Sequence, residues 1–452
     1  MSTPLRRSTE PPPVRALHLG LGSFFRAHQA WYTHRADDDW GIAAFTGRRA
    51  DLARTLEAQD GLYTLITRAA DGDEFDVMRS VARAHAAADH DAWLGYWASP
   101  AVRVVTVTVT EAGYLRDGAG RLDTARPEVA AEIAALRADA RAAVTSAPAR
   151  LVAGLLARRR ADAGPLTIVP CDNLPQNGAA LRAVLGDAAD AVDPSLTDWL
   201  DEQVSVATTM VDRITPEPTD VDRRAVRTAT GVDDRCPVAT EPFSEWVLAG
   251  GFPGGRPAWE TAGAVLAPDV TPFEDRKLWL LNGAHSLLAY AGSLRGRTTV
   301  AEAVADPLCR SWVEQWWDTC APHLDLPDDD VARYRAALLE RFAHPRIAHS
   351  LAQIAADGSQ KLPARIVPVL LRERADGRLP EAAVRVLAAW FLHLGGAGAP
   401  VKDVREPELR PLLDGALSDA APRVLAALHP ALGDDTDLVA AVSSCVVELG
   451  SQ

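Results

Sequence analysis

Cysteine is scarce in this chain and follows no pattern. Five occur in 452 residues, Cys171, Cys236, Cys309, Cys320 and Cys445, odd in number, scattered and without a C-x-x-C pair. That excludes a disulfide framework and a structural zinc site, and it fits a reduced, cytoplasmic compartment. No uninterrupted apolar run reaches the roughly 18 residues a membrane span needs. The charged, Pro-rich start MSTPLRRSTEPPP has no apolar stretch behind it, so a signal peptide is not expected either. Positive charge is in deficit: 47 Lys and Arg against 61 Asp and Glu give a net charge of −14. Nucleic acid and anionic membrane are therefore disfavoured as partners, although a local basic pocket could take a small anion. Internal repeats are missing, and low complexity is confined to Ala-Arg-rich helices.

The chain does have length and an ordinary soluble composition, with 48% apolar and 24% charged residues, enough for two or three domains with real cores. Residues 1–13 read as a flexible tail. VRALHLGLG follows as a short buried strand entering a glycine turn, and FFRAHQAWYTHRA as an amphipathic helix. Gly20 permits a tight turn and Gly22 a close approach, but Phe25 stands where a G-x-G-x-x-G fingerprint has its third glycine. Two turn glycines after a strand would look the same. WGIAAFTG (40–47) reads as the second strand. Where a Rossmann unit usually carries an acid for the ribose, the chain offers Thr46, Gly47, Arg48 and Arg49, with Asp51 the first acid. Arg48 suits a 2′-phosphate, an adenine ring or simply solvent.

AVRVVTVTVTEAGY (101–114) has the β-branched content of a central strand ending at Glu111, and LTIVPCDN (166–173) is a second strand, closed by Asn173. Asp172 and Asn173 also read as an Asx turn before Pro175. TTMVDRITP (208–216) is a further strand, ending in Asp212 and Arg213. Helices are expected at 127–144 and over LVAGLLARRR. From about Thr271 strand signals fade, and helices are expected over 301–320, 331–342, 347–356, 365–374 and 381–394, with DGSQKLPAR (357–365) as a polar loop carrying Lys361. Trp312, Trp316 and Trp317 read as core. The pattern divides the chain near residue 270 into an α/β domain with a mainly parallel sheet (14–270) and an all-α domain (271–452).

EDRKLWLLNGAH (274–285) places Lys277, Asn282 and His285 in an apolar helical run. At about 100° per residue, Asn282 and His285 share a face and Lys277 lies roughly 80° from His285. Leu278, Trp279, Leu280 and Leu281 crowd the lysine, and burial of an amine lowers its pKa, which would make it a usable base. A snorkelling lysine and a helix-breaking Asn-Gly pair are the ordinary alternatives.

KLWLLNGAH resembles the K-x-x-x-x-N-x-x-H signature of the polyol-specific long-chain dehydrogenases, the mannitol dehydrogenase and fructuronate reductase family. HLGLGSFFRAHQAWYT, QDGLYTL, VTVTEAGY, PCDNLPQNG, MVDRITP, EPFSEWV and DGSQKLP agree in the same order, so the resemblance spans nearly the whole chain. It implies a Rossmann-type domain followed by a helical substrate domain, and a metal-independent oxidoreductase. Lys277 would be the general acid/base, Asn173 and Asn282 donors to the reacting oxygen, His285 a substrate holder and Glu274 a proton relay. An ordinary i,i+3 ion pair with Lys277 would explain Glu274 equally. Asp212 matches a position beside the base, and Lys361 one that meets substrate hydroxyls; Arg365 is a further candidate for the substrate. Gly20, Gly22, Phe24, Arg26, Arg48, Thr110 and Glu111 are expected to line NAD, with NADP as the alternative cofactor. With no zinc cluster and no Y-x-x-x-K, Lys277 is also the natural base by chemistry. Mannitol-active relatives tend to carry an arginine eight residues before the second lysine, where this chain has Gln353. The expected reaction is D-mannitol to D-fructose, with fructuronate reduction as the alternative, in a monomer or weak homo-oligomer.

Overall fold

Six short runs of β-branched and small apolar residues pair in parallel. They are β1 (Val14–Leu19), β2 (Gly41–Phe45), β3 (Val81–His85), β4 (Val104–Val107), β5 (Leu166–Pro170) and β6 (Val204–Val206). Their order in the sheet is β3-β2-β1-β4-β5-β6, the doubly wound arrangement whose strand C-termini open onto a ligand crevice. In register, Leu17 faces Ala43 and Val105, and Val105 faces Ile168. Successive side chains leave a strand on opposite faces. Leu17, Leu19, Val105 and Ile168 thus enter one core with Trp93 and Trp97, and Ala16, Val104 and Val169 enter another with Phe25, Tyr63 and Trp246. Burying a side chain of this size contributes roughly 2–3 kcal/mol, which makes these the dominant favourable contacts.

The structure, a computed structural model, describes residues 3–344, 346 and 349–451. The chain divides into a unit of residues 1–270 and a unit of residues 271–452. Residues 3–13 are not the flexible tail expected. Thr3–Pro4 pairs with Val232–Asp233. Leu5 is buried, and the Arg7 guanidinium donates to the carbonyls of Asp60, Arg79 and Val81. The strands are shorter than their apolar runs: β4 covers only 104–107 of 101–114, and β5 stops three residues before Asn173. β7 (Thr208–Asp212) leaves the parallel sheet and pairs antiparallel with β8 (Glu245–Ala249).

Among its described residues the second unit is helical apart from one isolated bridge, Thr299 to Ser350. The helix Glu381–Leu394 has the expected bounds. The run expected over 301–320 is two helices, Val300–Ala305 and Pro307–Cys320, because Asp306 stops the first and caps the second. The helix expected from Ile347 is Leu351–Ala355, Ile347 itself lying outside the described residues. The expected loop 357–365 is the helix Gly358–Arg365, launched from Asp357 in a left-handed conformation (φ 55). Asp403 holds its first turn by accepting from the Ser359 backbone and hydroxyl at 2.8 and 2.5 Å. The helices Leu417–Ala426 and Thr436–Gly450 complete the unit.

Candidate active site

The C-terminal ends of β1, β2, β4 and β5 carry most of the residues expected at a dinucleotide. Gly20 has φ +113, and a Cβ there would lie 2.1 Å from the Thr108 carbonyl oxygen. Only glycine fits that position. Gly22 meets only the Gly20 carbonyl, 3.5 Å from where its own Cβ would be, so the loop is open to a close-approaching pyrophosphate. The Gly20 and Leu21 amides donate to the Phe45 carbonyl at 2.9 and 2.8 Å, tying the loop to β2. Beneath it, His18 is fully buried and stacks on Phe25 with ring centroids 3.6 Å apart. Phe25 thus fills, by packing on His18, the place of the third glycine.

The His18 ring reaches two hydroxyls of the neighbouring β4 segment, Nδ1 to Thr106 Oγ1 at 2.8 Å and Nε2 to Thr108 Oγ1 at 3.0 Å. Thr108 donates its one proton to the Gly20 carbonyl at 2.9 Å. Its oxygen then accepts from Nε2–H, while the single proton of the Thr106 hydroxyl has two acceptors in reach, Nδ1 at 2.8 Å and the Leu17 carbonyl at 3.3 Å. Burial pushes the imidazole pKa down to about 3, so the ring is neutral, and with Nε2 protonated its Nδ1 takes the Thr106 proton.

The expected single helix after the glycine turn is two short ones, Ser23–Ala27 and Gln29–Arg35, broken at His28 (φ −122, ψ −87). The break lets His28 Nε2 reach the Glu245 carbonyl at 3.0 Å. Arg26 is 2% exposed. Its guanidinium donates to the Gly22 carbonyl at 3.2 Å and to the Cys236 carbonyl, bracing the loop from below. Phe24 stacks on His28 at 5.0 Å. Arg48, Thr110 and Glu111 are exposed, while Asp51 is engaged by Arg49 and Arg54.

Asn173 lies exposed on the bend after β5 rather than at a buried strand end. Its neighbour Asp172 anchors the bend by accepting from the Tyr114 hydroxyl and from the Leu174 amide at 2.9 Å. Burial raises the Asp172 pKa despite these bonds. Sequence reasoning did not single out Asn177, which is fully buried and ties the same bend to β7: it accepts from the Thr209 amide at 2.9 Å and donates to the Pro170 and Asp172 carbonyls at 3.4 Å. Asp212 ends β7 opposite Glu245 and is buried. Arg213 donates to the Ala27 and Glu241 carbonyls and lies 4.6 Å over the Trp31 ring.

In the second unit one continuous element carries Glu274, Lys277, Asn282 and His285, but it is not a uniform α-helix. Thr271–Arg276 is α, Lys277–Gly283 is π, Ala284–Leu287 is α and Leu288–Gly292 is π again. A π-helix bonds i to i+5, so Lys277 and Asn282 stand one turn apart on one face. In an α-helix they would point about 140° apart. Lys277 is half-buried and Glu274 is 8% exposed. His285, 6% exposed, packs against Phe342 and His349 with centroids 4.9 Å away in each case. Arg365 joins this group, donating to Ser286 Oγ at 3.2 Å and to the Asn282 carbonyl at 3.5 Å. Burial lowers its pKa to about 10. Lys361, one turn earlier on the same helix, donates to the Ile354 carbonyl at 3.2 Å and the Ala356 carbonyl at 2.5 Å. The chain has only three lysines, Lys277, Lys361 and Lys402. Two of the three lie here, a compositional signal that does not depend on fold.

Residues 14–261 match the family model for the mannitol dehydrogenase Rossmann domain and residues 269–445 that for the mannitol dehydrogenase C-terminal domain. The chain belongs to the mannitol dehydrogenase family. As a member it is an oxidoreductase of secondary alcohols acting on polyols or hexonates. It is 42% identical to the D-arabinitol 4-dehydrogenase of Ralstonia nicotianae, over 86% of this chain and 84% of the relative. It is 38% identical to the D-mannonate oxidoreductase of Escherichia coli, over 84% and 80%. The solved ternary complex of Pseudomonas fluorescens mannitol 2-dehydrogenase with NAD and D-mannitol is 34% identical, covering 99% of this chain and 94% of that one with a TM-score of 0.79. Among the described residues, no helix is long and apolar enough to cross a membrane. Nor does any group of three His, Cys, Asp or Glu side chains stand ready for a metal.

Proposed function

We propose that this enzyme interconverts a neutral acyclic polyol and its keto sugar with NAD, Lys277 acting as general acid/base. The observation that carries the reading is the pairing of Lys277 and Asn282 on one π-helical turn. An amine beside a carboxamide can take the hydroxyl proton while the amide N–H steadies the alkoxide left behind, a donor contribution of roughly 3 kcal/mol. His285, fixed by its two aromatic neighbours, holds a substrate hydroxyl, and Asn173 is proposed as a second donor. Bound NAD would supply the hydride acceptor, and the glycine loop at Gly20 and Gly22 would hold its pyrophosphate.

A hexonate needs a cation. Lys361 and Arg365 keep their charge, because the backbone carbonyls and the Ser286 hydroxyl they donate to are neutral, and they are the cations a hexonate carboxylate would meet. Their N–H donors serve the hydroxyls of a neutral polyol equally. D-mannitol is proposed first. D-arabinitol is the second reading, favoured by the 42% identical relative; it has the configuration of D-mannitol at the oxidised carbon and the next two. A reducing cytoplasmic setting is proposed from five thiols with no disulfide among them, with a monomer or weak homo-oligomer as the working assembly.

The test is oxidation of NADH and NADPH with D-fructose, D-xylulose and D-fructuronate in parallel. Either neutral ketose turned over with NADH, and D-fructuronate turned over poorly, is the expected result. Lys277→Ala should still quench tryptophan fluorescence with NADH yet lose at least about 10³-fold in kcat. Full activity in that variant removes the assigned base.

A further inference from the structure

Two adjacent tryptophans on the helix Pro307–Cys320 meet two adjacent carbonyls on the catalytic element. Trp316 Nε1 donates to the Trp279 carbonyl at 2.7 Å, and Trp317 Nε1 donates to the Leu280 carbonyl at 2.8 Å. Both indoles are buried, at 0% and 1% exposure. An indole offers a donor and no acceptor, so in a water-free interior its N–H must find an oxygen, and here both find main-chain oxygens within the π turn. A side chain entering the hydrogen-bond ladder of a helix is a recognised cause of local departure from α geometry. Gly283 completes the arrangement: a Cβ there would lie 2.5 Å from Trp316 Nε1 and 3.0 Å from its ring. The approach of Trp316 to the helix thus requires glycine at this position for space, not for backbone conformation.

We propose that Trp316 and Trp317 are positioning residues that hold residues 277–283 in the π register and thereby set Lys277 beside Asn282. Neither tryptophan is a catalytic residue; each acts through the backbone of the residue it grips. With the two donors removed, the segment relaxes toward the α register, in which the amine and the carboxamide diverge. The inference rests on the reading of Lys277 and Asn282 as the working pair, and its test separates the two.

Trp316→Phe, Trp317→Phe and the double variant keep a ring and lose the N–H. Their kcat is expected to fall about 10- to 100-fold, the scale of a 1 Å misplacement. KM for the ketose and the NADH affinity should stay within about threefold, and crystal structures of the variants should show residues 277–283 in α geometry. Gly283→Ala, which displaces the Trp316 ring, should give the same split and covers the case in which the double variant does not fold. Trp97→Phe is the control, a fully buried tryptophan of the other unit whose indole N–H has no partner among the described residues, and it should leave kcat unchanged. A kcat within twofold of wild type in the double variant, or a π register retained in its crystal structure, overturns the proposal while an inactive Lys277→Ala leaves the assigned base standing. An active Lys277→Ala removes the assigned base, and the variant structures still decide the register.

Discussion

At the scale of single residues the most informative side chain is one the reaction never touches. His18 passes a directed series of hydrogen bonds from Thr106 through Thr108 to the Gly20 carbonyl. Its folded pKa, about 3, is far below the 6.5 it has when unfolded. Between those values the unfolded chain binds more protons, so stability rises with pH there. The contribution of neutral His18 is fully present above pH 6.5 and is lost as pH falls toward 3, at about 1.4 kcal/mol per pH unit. Urea unfolding of wild type and His18→Gln between pH 7 and pH 4.5 should therefore show a wild-type loss larger by roughly 2–3 kcal/mol. Parallel pH profiles for the two proteins would refute the assignment. Thr108→Val removes the donor to the Gly20 carbonyl and should weaken NADH binding about tenfold, the worth of one buried hydrogen bond, with Thr108→Ser restoring it. Fluorescence titration reads both, and an unchanged Kd in the valine variant would show that the loop holds without this bond. The strand and its glycines were legible in VRALHLGLG. The His18 series was not, because it depends on which threonines of β4 come to lie beside β1, a register no single stretch encodes.

Secondary-structure elements divide into those written in local pattern and those imposed by neighbours. Glu381–Leu394 is written locally, with a proline before it, a glycine after it and apolar residues at helical spacing between. The π turn at Lys277 is imposed: KLWLLNG has no feature that distinguishes a π from an α register, and the two tryptophans bonded to it lie 37 residues further on. The helix Gly358–Arg365 read as a loop because its sequence is polar and carries Pro363; Asp403, far along the chain, secures it. The break at Asp306 was written locally in Asp-Pro, yet the apolar periodicity running across it obscured the signal. Asp306 accepts from the Leu308 amide at 3.0 Å and from Arg295 and Arg297 at 3.0 and 3.1 Å. Burial alone would raise its pKa, but the two guanidinium groups and the capped amide outweigh it and hold the carboxyl at about 2. Since Asp306 starts the helix that presents Trp316 and Trp317, Asp306→Ala should lower the unfolding free energy by about 1–3 kcal/mol, and Asp306→Asn, which can still cap, by less. Equal urea midpoints for all three proteins would show that the cap carries no weight.

For the molecule as a whole, composition alone fixed the charge, and the charge bears on how its ligands arrive. A net charge of −14 repels an anionic dinucleotide at long range, whatever the glycine loop offers at contact. Arg26 and Arg213 near the β1 loop are already counted in that sum and, donating to backbone carbonyls, are not presented to a ligand, whereas Arg48 is among the exposed cations at the strand ends. At about 0.01 M ionic strength the repulsion reaches some 30 Å, and at about 0.15 M only some 8 Å. The NADH association rate measured by stopped-flow fluorescence should therefore rise several-fold over that range, the reverse of what a basic steering patch would give. KM for a neutral ketose should be flat over the same range, because an uncharged substrate does not feel the field, while D-fructuronate should follow NADH. An association rate that falls with added salt would place a cationic cluster, rather than the summed acidic surface, in control of cofactor capture, and would turn attention back to Arg48 and Arg49.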